Sequence, residues 1–502
     1  MIRWFHPVGF ASEKGRGAPY PDITGAIWIF ALFSISFFVA VYWSVNAKTA
    51  LNTLASLLLL ILFVGWMLAA LAFILDRYRF PVLPAALAFR FVLGLVSCDT
   101  DHRFVHEGPP ATFAVTPREM LLCHPRPILV AASGGGIQAA AWMTSIMEKL
   151  RQDPQLEFKK RVALISAVSG GSVGAYLLGA QWDQPDWTKP RENARQTSLG
   201  RAAWALVGLD FFRPVVAWTG YKNWDRGYAL EQDLERRVAA PVADTLAGWS
   251  QRAAESKLPV FLFNTTVVET GGPVAFATGE FPSAEFENNH RNPLASKHVS
   301  LSERRFFAAQ CKGPRVRDIH VATAARLSAT FPYVSPAARP DGKFSDCNYH
   351  FVDGGYYDNY GLVSLLQWLD DGLESMTEVE RNHVGPITIV VIRGRVDEGR
   401  MPAREWSFTD QGNAPISAFL AMRSYGQWAG GSGALRLVKE KWRQRNVAIS
   451  ESLVSYPTVA KNPRPLCSQE PLTWKLTPRQ QDCIDYQTDL VKIKGIAAAV
   501  AP

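Results

Sequence analysis

Residues 170–174 read Gly-Gly-Ser-Val-Gly, a G-x-S-x-G pentapeptide that follows the β-branched apolar run Val162 to Val168. A serine that attacks a carbonyl has to stand on a tight turn from strand to helix, and glycines two residues either side leave room for that turn. The placement marks Ser172 as the candidate nucleophile and Gly170 and Gly174 as the glycines of its elbow. Val173 to Leu178 reads as the start of the following helix. The same five letters also occur in ordinary loops, so the neighbours have to carry the argument.

Upstream, the buried-strand pattern Ile128 to Ala132 runs into Ser133-Gly134-Gly135-Gly136 and then a helix-like stretch, Ile137 to Leu150. A glycine run between strand and helix turns backbone N–H groups into a pocket, where they can cradle a phosphate or hold an oxyanion. Neither the Gly-Lys-Ser/Thr of a P-loop nor a G-x-G-x-x-G is completed, which favours the oxyanion over the phosphate. Downstream, Phe351-Val352-Asp353-Gly354-Gly355 puts an acid at the end of a short apolar run. A Ser-His-Asp hydrolase of the α/β type places nucleophile, acid and histidine in that order, and His383 is the one histidine after Asp353. Either His383 completes a triad, or Asp353 takes the serine proton itself as general base.

These pieces, in this order, resemble the patatin-like phospholipases, a family of lipid acyl hydrolases related to the animal cytosolic phospholipases A. The resemblance implies a Ser/Asp dyad of Ser172 and Asp353. It also implies an oxyanion hole at Gly134, Gly135 and Gly136, and support for the acid's loop from Gly354, Gly355 and Asn359. Pro259 to Thr266 with Glu269-Thr270-Gly271 is similar to the family's central strand and turn, and Ala322 to Pro332 to the helix and proline turn before the acid. The likeness runs over roughly residues 125 to 395. Two positions depart from it: Ser133 opens the glycine loop where many members have Asp, and Gln138 stands where a basic residue is frequent. The implied fold is α/β, a three-layer sandwich with helices on both faces of a central sheet. Membrane phospholipids or other fatty-acyl esters are the implied substrates, with no cofactor and no metal.

The chain's ends differ in character. Gly25 to Val45 and Leu51 to Leu75 contain no charged residue. Each is long enough to cross a hydrocarbon core of about 30 Å as a helix. The reading is an N-terminal membrane region, 1–97, with a transmembrane helical hairpin (about 25–45 and 51–75), followed by a hydrolase domain over 120–502. Arg3, Lys14 and Arg16 precede the hairpin, Arg77 and Arg79 follow it, and Lys48 alone lies between. The positive-inside rule then puts both ends, and the hydrolase, in the cytoplasm, as in an integral protein of a bacterial inner membrane. Pro81 to Ser97, apolar except for Arg90, is a possible third span: an Arg at mid-membrane costs about 2.5–3.5 kcal/mol, which its apolar neighbours nearly offset.

The six cysteines are scattered, without C-x-x-C or Cys/His metal spacing, and read as reduced thiols. The net charge of +8 suits an anionic lipid surface, and no nucleic-acid motif accompanies it. An insert at about 181–256 carries Trp182, Trp187, Trp204, Trp218, Trp224 and Trp249. Those side chains form either a lid at the lipid headgroups or the insert's own core. Pro415 to Arg445 reads as a long helix interrupted at Gly430 to Gly433, and Pro471 to Pro478 with the helix-like run after it is similar to the closing strand and helix of bacterial patatin-like proteins.

Overall fold

The computed structural model describes residues 28–37, 39, 53–76, 81–96, 101–105, 107–110, 114–210, 224–238, 244–281, 300–311, 317–331, 334–341, 347–394, 411, 414, 418, 425–456, 467 and 474–491. The chain divides into two compact units, Met1–Cys98 and Asp99–Pro502.

The first unit contains helices α1 (Thr53–Asp76) and α2 (Val82–Val96). Phe37 stacks on Phe63 with ring centroids 4.1 Å apart, and Phe33 on Trp66 at 5.8 Å. The expected pair of spans is not met. Of the first, only residues 28–37 and 39 are described; the connector 46–50 lies outside the described residues. Among the described residues no helix is long and apolar enough to cross a membrane. What the unit does show is apolar surface: Trp28, Leu32, Ile61, Leu87, Phe89 and Phe91 are all exposed.

The second unit is built on an eight-stranded mixed sheet. Its strands are β1 (Ile128–Ala132), β2 (Val162–Val168), β3 (Val260–Val267), β4 (Pro273–Ala277), β5 (Leu301–Ser302), β6 (Phe351–Asp353), β7 (Ile387–Arg393) and β8 (Ile449–Ser455). The order is β8-β7-β1-β2-β3-β4-β5, with β6 also pairing β3. From β8 to β3 the pairings are parallel, while β4 and β6 run antiparallel to β3. Strands β1, β2 and β7 are buried along their whole length. Burial on both faces is why they read as unbroken apolar runs instead of alternating ones.

Alternate residues of β1 enter two cores. Ile128, Val130 and Ala132 join Trp142 and Met147 of α3 (Gly136–Gln152) and Tyr176 and Leu177 of α4 (Gly170–Gly179). Leu129 and Ala131 join Leu365 and Trp368 of α5 (Leu362–Glu374) and Trp442 of α6 (Gln427–Arg443). The result is the expected α/β sandwich of helix layers about a sheet.

Several readings of the second unit change. Helix α6 runs through Gly430 to Gly433 without a break; a Cβ on Gly431 would lie 3.3 Å from Leu362 Cδ2, so the glycine lets α6 approach α5 closely. Strand β8 was not anticipated, because its sequence ISESLVS is that of a half-exposed edge and carries little apolar signal. No strand precedes the last helix among the described residues 474–477, and 471–473 lie outside them. In the insert, Trp182, Trp187, Trp204 and Trp249 are buried and Trp224 is exposed, so most of these rings serve the core; Trp218 lies outside the described residues.

The cysteine reading is also corrected. Cys311 is bonded to Cys347 and Cys467 to Cys483, with Cα separations of 4.8 and 5.5 Å. Pairs 36 and 16 residues apart in the chain are brought together only by the fold. Disulfides persist in oxidising compartments, so the cysteines no longer speak for a cytoplasmic placement.

One buried acid gives a test of the packing. Glu303 follows β5, is 2% exposed, and accepts the Ala277 N–H at 3.0 Å. Burial, stronger than the backbone hydrogen bonds that oppose it, pushes its carboxyl up to about 8. Between about pH 4.5 and 8 the native chain keeps this proton while the unfolded chain releases it, so stability falls with rising pH through that window. Glu303→Gln keeps an acceptor for Ala277 and removes the titration. Denaturant unfolding at pH 5 and 8.5 is expected to show the variant nearly neutral at the lower pH and more stable by about 4 kcal/mol at the higher.

Candidate active site

Strand β3 acts as a common edge for the two ends that matter. On it, Val168 of β2 sits opposite Asn264 in parallel register, and Asp353 of β6 sits opposite the next residue, Thr265, in antiparallel register. The two strands therefore arrive end to end. The residue that meets Asp353 is Ser169, immediately after β2: its Oγ donates to Asp353 Oδ2 at 2.7 Å. Ser169 has φ 53° and ψ −123°, a backbone region that non-glycine residues seldom occupy and that recurs at functional turns.

Ser172, the serine favoured from the pentapeptide, is placed differently. It lies in the first turn of α4, fully buried, and its Oγ shares a 2.7 Å hydrogen bond with Ser328 Oγ. The seryl hydroxyl on Asp353 is that of Ser169, not of Ser172. The physical reason is register: Ala167-Val168-Ser169-Gly170-Gly171 is the pentapeptide that straddles the strand's end, with alanine in place of the first glycine. The copy with both glycines, Gly170 to Gly174, is centred three residues later, inside α4. The available signal was position, since Ser169 directly follows the last β-branched residue of the run. Gly174 packs against Ala140 of α3, where a Cβ would come within 3.1 Å of the Ala140 carbonyl.

Asp353 is fully buried, and its Oδ1 accepts the Gly355 N–H at 2.8 Å. Gly354 lies against β3 so closely that a Cβ would stand 2.2 Å from the Asn264 carbonyl oxygen. Only glycine permits that approach, which lets the acid reach the strand end. Asn359 links the acid's loop to the glycine loop: its carbonyl accepts the Gly134 N–H at 2.8 Å. Gln427 of α6, which the sequence did not single out, holds the same loop by accepting the Asn359 N–H (2.8 Å) and donating to the carbonyls of Gly355 (3.2 Å) and Tyr356 (3.0 Å). Asp358 caps α5, accepting the N–H groups of Tyr360 and Val363, and burial raises its carboxyl above the usual range.

The glycine loop divides in two. Gly134 is committed to Asn359, so its N–H is withdrawn from the expected oxyanion hole. Gly135 and Gly136 have φ of 150° and 63°. Among the described residues, the N–H groups of Gly135, Gly136 and Gly170 make no hydrogen bond. Gly170 touches Gly136 backbone to backbone, with a would-be Cβ 1.9 Å from the Gly136 carbonyl oxygen. Three unengaged donors at the N-termini of α3 and α4, beside Ser169, suit a developing negative charge. Ser133 secures the loop to β7: its N–H donates to Ile392 O and its Oγ accepts the Gly394 N–H, both at 3.0 Å. Gln138 is buried in α3 and is not among the residues that line the cavity at Ser169.

A cavity of about 70 Å³ opens at Ser169. Ile137, Val173, Leu234, Phe331 and Trp474 give it apolar walls, and Arg237 and Arg326 are its charged members. Both cations are already engaged, Arg326 with Glu231 and Arg237 with Asp233. No described histidine lines this cavity. His383 is exposed near the end of a short helix, Glu378–Val384, and is not among the residues that line this cavity.

A family model described as Patatin-like phospholipase matches residues 130–366. Human GIVD cytosolic phospholipase A2 superposes with a TM-score of 0.33 at 13% identity, covering 57% of this chain and 50% of that one. The same human enzyme in complex with methyl gamma-linolenyl fluorophosphonate inhibitor and terbium chloride gives 0.33 and 16%, with 61% and 53% covered. VipD from Legionella pneumophila gives 0.28 and 10%, with 73% and 67% covered. The chain spans about half the length of the human structures it matches, and at these scores the likenesses transfer no residue roles. No curated protein matches the chain.

The contact between Gly170 and Gly136 gives a direct check on the elbow. Gly170→Ala places a methyl group on backbone, with no side chain to swing aside, and is expected to cost about 2–3 kcal/mol in thermal or denaturant unfolding. Ser172→Ala removes one buried hydrogen bond and is expected to cost about 1 kcal/mol.

Proposed function

We propose, from the match of residues 130–366 to a family model described as Patatin-like phospholipase and from the geometry at Ser169, that the chain is a lipid acyl hydrolase working through a Ser169/Asp353 dyad. The observation that carries the reading is the 2.7 Å hydrogen bond from Ser169 Oγ to Asp353 Oδ2 at a strained strand-to-helix turn. Asp353 accepts the seryl proton as Ser169 attacks the ester carbonyl. The N–H groups of Gly135, Gly136 and Gly170 take the oxyanion as it forms, and the protonated Asp353 returns its proton to the leaving alcohol. Water, activated by the same carboxylate, then releases the fatty acid from Ser169. Fatty-acyl esters fit the apolar walls of the cavity, and membrane phospholipids are the proposed natural class.

Membrane association belongs to this reading. Exposed rings and aliphatic chains such as Trp28, Leu32, Phe89 and Phe91 form the kind of surface that a soluble protein covers. A lipid surface is the cover that matches the substrate, and the excess of basic residues favours an anionic one.

Two measurements test the reading. A fluorophosphonate probe should label the wild-type serine and the Ser172→Ala variant alike, and fail on Ser169→Ala. Ester turnover should fall about ten-thousand-fold or more in Ser169→Ala and in Asp353→Asn. Labelling that survives Ser169→Ala but is lost in Ser172→Ala would reverse the assignment. In flotation with phosphatidylglycerol vesicles, the full chain is expected to rise with the lipid and a chain starting at Asp99 to stay behind. Equal flotation of the two would remove the N-terminal unit from membrane binding.

A further inference from the structure

The cavity at Ser169 is not closed by the matched family segment alone. Trp474 lies well beyond residue 366, yet it lines the same space. Its indole meets Phe331, another wall residue, edge to face, with ring centroids 6.0 Å apart at 71°.

The stretch that carries Trp474 is held on both sides. The Cys467–Cys483 disulfide brackets it. Beyond it, the helix α7 (Pro478–Leu490) starts behind a capping box of Thr477 and Gln480. That helix is fastened to α3 by Lys149 Nζ, which donates to the carbonyls of Thr488 (2.6 Å) and Asp489 (2.8 Å). Asp485 accepts from Arg195 at 2.8 Å, and Arg195 stands between two wall residues, Ala194 and Gln196. Leu476 and Ile484 are buried in the core. Trp474 is thus a large, rigid side chain on an anchored segment.

We propose that Trp474, positioned by the Cys467–Cys483 disulfide, is the wall residue that limits the length and bulk of the acyl group accepted at Ser169. The proposal rests on the hydrolase reading. An acyl chain can discriminate only through apolar contact, and a rigid wall turns each surplus methylene into a misfit. One methylene in such a pocket changes the specificity ratio about tenfold or more.

The test uses the purified full chain and p-nitrophenyl esters from acetate to palmitate, alongside labelling by a small fluorophosphonate that reports Ser169 whatever the pocket's depth. In Trp474→Ala, the ratio of kcat/KM for long over short esters should rise about tenfold, with the small probe's labelling retained. Trp474→Phe, which keeps an aromatic wall, should stay within about threefold of wild type, and Cys483→Ser should shift in the direction of Trp474→Ala. An unchanged ratio in Trp474→Ala overturns the proposal, and so does an equal loss for all lengths. If the wild type neither turns over any ester nor takes the probe at Ser169, the hydrolase reading falls and the proposal with it.

Discussion

The site depends on one strand's register. β3 offers adjacent positions, Asn264 and Thr265, to two partners that arrive from opposite directions: β2 ends opposite the first and β6 opposite the second. Because the parallel β2 and the antiparallel β6 both end there, their C-terminal ends face each other across one gap, which Ser169 and Asp353 fill. A slip of one residue in either pairing would turn each side chain to the other face of the sheet. The continuous burial of β2 and β3 makes such a slip costly, since every position on both faces is packed. The Ser169–Asp353 distance is therefore set by the hydrophobic core and not by the two side chains alone.

That dependence explains which features were legible in the sequence. The strands that form the middle of the sheet are apolar on both faces, and Val162–Val168, Ile128–Ala132 and Phe351–Asp353 announced themselves as runs. Asp353 stood at the end of such a run and could be found by position. The serine was harder, because two serines three residues apart each stand at the centre of a glycine-containing pentapeptide. Which one faces the acid is decided by where the strand ends, a matter of single residues. Gln427 left no local trace at all. Its role comes from the packing of α6 across a gap of about seventy residues, and an isolated glutamine in a helix carries no such information. The disulfides were illegible for the same reason.

The two halves of the glycine loop show how a short segment serves both scaffold and chemistry. Ser133 and Gly134 spend their hydrogen-bonding capacity on β7 and Asn359, which fixes the loop between the sheet and the acid's turn. Gly135 and Gly136 keep theirs. A loop whose every N–H was satisfied would be rigid and inert, and one with none satisfied would not hold position. Dividing the labour along four residues gives preorganised donors, which is what electrostatic stabilisation of an oxyanion demands.

The serine that proved not to face the acid has a part in the same economy of structure. A non-glycine residue at φ 53° and ψ −123° costs about 1–3 kcal/mol, and something must hold it there. Ser328, at the end of the helix Val321–Ser328, does so from several sides. Its carbonyl accepts the Ser169 N–H at 3.2 Å, its hydroxyl donates to Asn264 O at 2.5 Å, and that hydroxyl also bonds Ser172 Oγ at 2.7 Å. Ser172 thereby ties the first turn of α4 to the same point that restrains Ser169 and to the strand that sets the register. Net hydrogen bonds of about 1 kcal/mol each, three or four together, are enough to offset the strain. The elbow is held because Ser172 and Ser328 spend their hydroxyls on each other and on β3, while the Ser169 hydroxyl is turned to Asp353.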